Sequence, residues 1–172
     1  CELGFTTNEI SKEYPVAEVI GMDVSKDAIA FGEKNFPNCR FLCEAVDPKN
    51  EKQIFSADLI YAFEFYPFTR TNILRDHRKY LVHLTKELSE KGKLVIFQLW
   101  DNPESLSVNY KDLANSFPNL KFELHSMPIK QIGKFVSSRF FANIISEIAR
   151  PIIRGVTSRQ IGKTKILVIS KK

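Results

Sequence analysis

The sequence predicts an α/β fold built on a doubly wound, mostly parallel sheet, and two observations lead there. Compact apolar runs at Ala17 to Met22, Ala57 to Phe63 and Leu94 to Leu99 alternate with stretches of helical spacing. Strands that read as nearly continuous apolar runs are those of a sheet covered on both faces, because right-handed crossovers place helices on each side. The second observation is length: 172 residues with 44% hydrophobic and 26% charged content suit one globular domain spanning 1–172.

Each element has its own signal. Thr6-Thr7-Asn8-Glu9 fits a capping box, so a short helix is expected from Thr6 to before Pro15. The run Ala17 to Met22 ends at Asp23, and Ser25 is placed to cap a helix reaching about Asn35, which Phe36-Pro37-Asn38 stops. Cys39 to Cys43 is the next strand, Pro48 to Phe55 a short helical or irregular piece, and Ala57 to Phe63 another strand. Leu74, Leu81, Leu84, Leu88 and Tyr80 lay one apolar stripe along a helix expected from Thr71 to Leu88. Lys91-Gly92 then turns the chain into Leu94 to Leu99, and a helix follows near Val108 to Phe117. Leu120 to Leu124 alternates apolar with polar residues, and Lys165 to Ser170 is the last strand. Between these two, a helix near Ser138 to Arg150 carries Phe140, Phe141, Ile144, Ile145 and Ile148 on one face, with Pro151 as its stop.

Charge is unevenly placed. The net charge is +5, yet the segment from Ile129 to Lys165 holds eight basic residues against the single acid Glu147, so it contributes +7 and the remainder −2. Basicity confined to an insertion of about 129–163 fits a lid, an interface or a pocket for an anionic ligand better than a general nucleic-acid surface. A solvated charge run is the plain alternative. The apolar stripe beside Arg139, Arg150 and Arg154 could also rest on a membrane surface. No apolar run is long enough to span a bilayer. The three cysteines are odd in number, and Cys39 and Cys43 share a strand at a spacing too long to bond, which points to a reducing, cytoplasmic setting. His77 and His83 are six apart on one helix and His125 is isolated, so no metal site is expected. The chain opens on cysteine without a charged leader, and the expectation is an N-terminally incomplete domain.

In doubly wound sheets ligands sit beyond the carboxyl ends of the strands. There the chain offers a Cys1-Glu2-Leu3-Gly4 turn before a helix, Asp23 nineteen residues after Gly4, Glu44-Ala45 after the Cys39 to Cys43 strand, and Phe63-Glu64-Phe65-Tyr66-Pro67 at the end of the Ala57 to Phe63 strand. An acid at that distance from a glycine turn offers two acceptor oxygens to the vicinal hydroxyls of a ribose.

This constellation resembles the class I S-adenosylmethionine-dependent methyltransferases over nearly the whole chain. The resemblance implies a Rossmann-like sheet that lacks, in this sequence, its first strand and the start of its glycine-rich loop. Gly4 matches that loop's final glycine, while Glu2 stands where the family often has glycine. It further implies that Asp23 binds the ribose, that Val24 packs on the adenine, and that Glu44 and Ala45 meet the adenine edge. Phe63 and Glu64 fall where the family's fourth-strand loop passes the methionine portion and the transferring methyl. The final two strands, with a helical insertion between them, resemble the antiparallel pair that separates these enzymes from dinucleotide dehydrogenases.

The implied reaction is in-line transfer of a methyl group to a small-molecule or metabolite acceptor, an anionic one included, with Tyr66 and Arg70 facing it. Proximity and orientation supply about 7 to 11 kcal/mol of such a barrier. A base is needed only for an alcohol or phenol acceptor, and Glu64 is the carboxylate best placed for that work. No Asn-Pro-Pro-Tyr type motif follows the fourth strand, which turns the reading away from exocyclic base nitrogens. The alternatives are an RNA or protein methyltransferase using the basic segment, an NAD-dependent oxidoreductase, and a non-catalytic methyltransferase-like partner subunit.

Overall fold

The computed structural model describes residues 1–50, 54–98, 105–126 and 165–172. They form two compact units, residues 1–46 and the described residues from 47 onward. The expected basic insertion at 129–163, with its Ser138 to Arg150 helix, lies outside the described residues.

The first unit runs α1 (Phe5–Glu13), β1 (Ile20–Asp23), α2 (Lys26–Asn35) and β2 (Arg40–Cys43). β1 and β2 pair in parallel from Ile20↔Arg40 to Asp23↔Cys43, so both strands end at the same level. The capping box expected at Thr6 is not formed. Gly4 caps α1 instead, in the left-handed region at φ 85, and no side chain caps this helix. Its amide donates to the Cys1 carbonyl at 2.9 Å and its own carbonyl accepts from Asn8 at 2.9 Å. This tight turn starts the helix ahead of Thr6, and only a residue without Cβ enters that conformation at low cost.

α2 follows expectation more closely. Ser25 Oγ accepts from the Ala28 amide at 3.2 Å, while Asp27 lies in the first turn and Lys34 in the last, each sign complementing the helix dipole. The helix turns Ala28, Ile29 and Gly32 inward. Gly32 faces Phe41 of β2, which is 6% exposed. A Cβ at Gly4, Gly21 or Gly32 would lie 2.6, 2.9 or 2.8 Å from that ring, so three glycines make the space that one phenyl fills. Burying such a side chain contributes roughly 1.5–3 kcal/mol.

The second unit contains β3 (Ala57–Phe63), α3 (Leu74–Lys86), β4 (Leu88–Gln98), α4 (Ser105–Ser116), β5 (Leu120–Ser126) and β6 (Lys165–Lys171). Its sheet has the order β3-β4-β6-β5. β3 and β4 are parallel, whereas β6 runs antiparallel to both β4 and β5. The chain is therefore α/β with parallel and antiparallel pairings both present. Leu94, Ile96, Leu167 and Ile169 of the two central strands and Leu81 of α3 are fully buried.

Boundaries differ from the sequence reading here, most at α3 and β4. α3 begins at Leu74 rather than Thr71, because the Thr71 hydroxyl accepts from the Ile73 amide at 2.9 Å and holds a turn before the helix. Leu88 belongs to β4 rather than to α3, and Lys91-Gly92 is an irregularity inside that strand, not a turn ahead of it. The register jumps from Ala57↔Leu88 to Leu59↔Lys93. Gly92 sits at the jump, where a Cβ would lie 2.6 Å from the Ala57 carbonyl oxygen. The strand restarts early because Ala57 donates to the Glu87 carbonyl at 2.8 Å and Lys171 Nζ donates to the Leu88 carbonyl at 2.7 Å.

Candidate functional site

In the first unit, the structure gathers most of the expected nucleotide-binding residues around one strand end. Asp23 closes β1 and makes three contacts with backbone nitrogen. Its Oδ2 accepts from the Glu2 amide at 2.8 Å and the Cys1 nitrogen at 3.1 Å, and its Oδ1 accepts from the Ser25 amide at 3.0 Å. The Cys1 nitrogen also donates to the Met22 carbonyl at 2.7 Å. Partial burial pushes the Asp23 carboxyl up, but the Ser25 and Glu2 amides and the Cys1 nitrogen outweigh it, and the net pKa lies below 3.8. Asp23 is thus an ionised acceptor. A carboxylate offers about four lone-pair directions; Oδ2 has two donors and Oδ1 one, so Oδ1 retains acceptor capacity.

The turn it holds is conformationally specific. Glu2 has φ 47 and Gly4 φ 85, both in the region that favours glycine. Glu2 therefore occupies a glycine-favouring position at some cost in strain, which its amide bond to Asp23 helps to offset. Around this turn Val24 is 70% exposed although apolar, and Glu44 and Ala45, just beyond β2, are exposed as well. Cys43 was not foreseen here. It is register-paired with Asp23, exposed, and its thiol donates to the Val24 carbonyl at 3.7 Å.

In the second unit, Phe63 ends β3 and stacks on Phe97 with ring centroids 5.3 Å apart. Glu64 follows with φ 47, its amide donating to the Phe97 carbonyl at 2.9 Å. This kink turns its carboxylate inward. The side chain is 8% exposed and Oε2 lies 3.8 Å from Nη2 of Arg70, whose own side chain is 48% exposed. Arg70 thus lies beside Glu64 while its side chain remains half exposed. Tyr66, 49% exposed, meets Tyr80 edge-on at 5.9 Å, and Phe65 does the same at 5.7 Å. Burial, and then the neighbouring Tyr66, Asp47 and Asp76, push the Tyr80 phenol up. Burial also raises Tyr61 strongly.

His77 is the residue whose importance sequence reasoning missed. It is fully buried, and its Nε2–H donates to the carbonyls of Thr71 at 2.8 Å and Pro67 at 3.1 Å. Nδ1 accepts from Asn109 Nδ2 at 3.2 Å, and that same amide donates to the Asn72 carbonyl at 2.8 Å. Both partners fix the neutral Nε2–H tautomer. Desolvation lowers the His77 pKa, against the smaller opposing effects of the Thr71 and Pro67 carbonyls and Asp76. No local motif signals this arrangement, because Asn109 lies 32 residues from His77 in sequence. Among the described residues no cluster of His, Cys, Asp and Glu could hold a metal ion, and no helix is long and apolar enough to cross a membrane.

No protein-family model matches the chain and no curated protein matches its sequence. Solved structures do match its fold. The plantazolicin methyltransferase BpumL, in complex with SAH and a pentazolic desmethylPZN analog, aligns at TM-score 0.61 and 18% identity over 100% of this chain and 74% of its own. An O-methyltransferase from a trans-AT PKS multienzyme of Brevibacillus brevis, in complex with S-adenosyl-L-homocysteine, gives 0.58 and 12% over 99% and 64%. A TehB-like SAM-dependent methyltransferase from Corynebacterium glutamicum gives 0.54 and 20% over 100% and 77%. The chain has the fold of the class I S-adenosylmethionine-dependent methyltransferases.

Proposed function

We propose that the chain is an S-adenosylmethionine-dependent methyltransferase acting on a small-molecule acceptor. The observation that carries this reading is the Asp23-held turn: an ionised carboxylate at a strand end, a left-handed Gly4 leading into α1, and exposed Val24, Glu44 and Ala45 beside them. The neighbours of the same fold, with S-adenosylhomocysteine bound in two of those named, support the cofactor assignment. The antiparallel β6 favours this chemistry over dinucleotide oxidation, as the resemblance implied.

The donor set fits the cofactor. In this reading Asp23 Oδ1 accepts from a ribose hydroxyl, Val24 packs on the adenine, and Glu44 with the Ala45 amide reads the adenine edge. Gly4 lets the backbone come close, and the resemblance alone implies Phe63 beside the methionine portion. The cofactor supplies a sulfonium whose methyl carbon is already electrophilic. The protein's part is to orient the acceptor in line and exclude water. Glu64 takes the proton of a hydroxyl acceptor, with Arg70 beside its carboxylate, and Tyr66 offers the acceptor an aromatic face.

Calorimetric titration of S-adenosylmethionine and, separately, NAD tests the assignment. Binding of the methyl donor alone is expected, with Asp23→Ala weakening it at least about tenfold, the equivalent of one charged hydrogen bond. Unchanged affinity in that variant sinks the site, and binding of NAD in place of the methyl donor sinks the class.

A further inference from the structure

The loop between β3 and α3 carries Glu64, Tyr66 and Arg70, and it is held from beneath by two buried polar side chains. His77 is fully buried and Asn109 is 4% exposed. Together they donate to three carbonyls of one short segment, those of Pro67, Thr71 and Asn72. Such a chain of buried, mutually satisfied groups is costly to break, because each carbonyl left without a donor keeps its desolvation penalty. By contrast, the loop's own backbone bonds are long: Thr69 to Phe65 at 3.3 Å, Arg70 to Pro67 at 3.4 Å and Thr71 to Pro67 at 3.2 Å. The segment thus depends on the side chains below it for its shape. Phe68, fully buried with its ring 5.3 Å from that of His77, closes the same support.

We propose that His77 and Asn109 are positioning residues, fixing the segment from Pro67 to Asn72 so that Tyr66, Arg70 and Glu64 present one arrangement to the acceptor. This rests on the reading of those three side chains as the acceptor side. Neither His77 nor Asn109 takes part in the methyl transfer itself. Asn109 matters through direction as well as contact: its amide nitrogen serves Asn72 and His77 at once, which is possible only while Nδ1 of His77 carries no proton.

Hydrogen exchange and tyrosine titration of the full chain test this without a known acceptor. In Asn109→Ala the amides of Arg70 and Thr71 should exchange about tenfold faster, the equivalent of one lost hydrogen bond, while β4 and β6 amides keep their protection. The Tyr80 phenol should also titrate closer to its ordinary 10.0, because Tyr66 withdraws from it. His77→Gln, whose amide nitrogen can still donate to Pro67 and Thr71, should protect the segment better than His77→Ala. A rise in exchange spread evenly over the sheet, or an unmoved Tyr80 titration in Asn109→Ala, overturns the proposal. Titration of S-adenosylhomocysteine into the wild-type chain separates the two readings: failure to bind sinks the methyltransferase assignment and leaves the exchange result standing.

Discussion

Asp23 and Glu87 perform the same chemistry in the two units and differ in where they sit and how exposed they are. Each is a carboxylate gathering backbone N–H groups from a distant segment. Glu87 Oε2 accepts from Ile54 at 3.0 Å and Phe55 at 2.6 Å, just ahead of β3, and the residue is 5% exposed. Asp23 gathers Glu2, Cys1 and Ser25, but at the carboxyl end of its strand and with a side chain 20% exposed. Glu87 precedes the strand β4, at its amino end, away from the carboxyl ends where open α/β sheets bind ligands. One fastening interaction thus recurs at two addresses, and the strand end with the degree of exposure separates them.

The contrast can be broken most severely at the turn Asp23 holds. Gly4→Ala forces an L-residue to φ 85 and drives a methyl to 2.6 Å from the Phe41 ring. The combined strain and overpacking should cost about 3–4 kcal/mol, read by denaturant unfolding, with cofactor binding lost in any folded fraction. Glu87→Ala should cost about 2–3 kcal/mol through the amides it strands and yet leave cofactor affinity untouched. Equal loss of affinity in this variant would erase the distinction between the two carboxylates. A smaller effect separates Asp23 by pH. Because its native pKa lies below 3.8, its stabilising contribution is full above that value and fades as pH falls through the native one. Asp23→Asn should flatten the fall in melting temperature between neutral and strongly acid solution. Smallest is Ser25→Ala, about 1 kcal/mol for a lost helix cap, visible as a modest drop in melting temperature with the β1 end intact.

What was legible in the sequence was whatever local chemistry decides. The Ser25 cap, the end of α2 at Asn35 and the runs of β3 and β6 were readable from adjacent residues, and so was the grouping of Asp23, Val24, Glu44 and Ala45 at strand ends. Thr6 misled because a capping box and a glycine turn compete for the same helix start, and the long-range bond from Glu2 to Asp23 decides for the turn. Leu88 misled because its spacing continues the α3 stripe, while pairing with Ala57 pulls it into β4. Glu87, His77 and Asn109 carry no pattern at all. The Glu87–Phe55, Asn109–Asn72 and Asn109–His77 bonds span 32 to 37 residues, so only tertiary structure shows them.

Phe41 has a consequence for how this protein can change by descent. Gly4, Gly21 and Gly32 come from a turn, a strand and a helix, yet all three abut the same ring. A substitution at any of them is harmful while the phenyl is present, and Gly32 becomes tolerable once position 41 has shrunk, whereas a Cβ at Gly21 would still lie 2.9 Å from the Thr7 hydroxyl. Gly4 stays bound by its backbone angle as well. The order in which mutations arrive therefore decides which are viable, and relatives with a smaller residue at position 41 should be the ones that lose the glycine of α2.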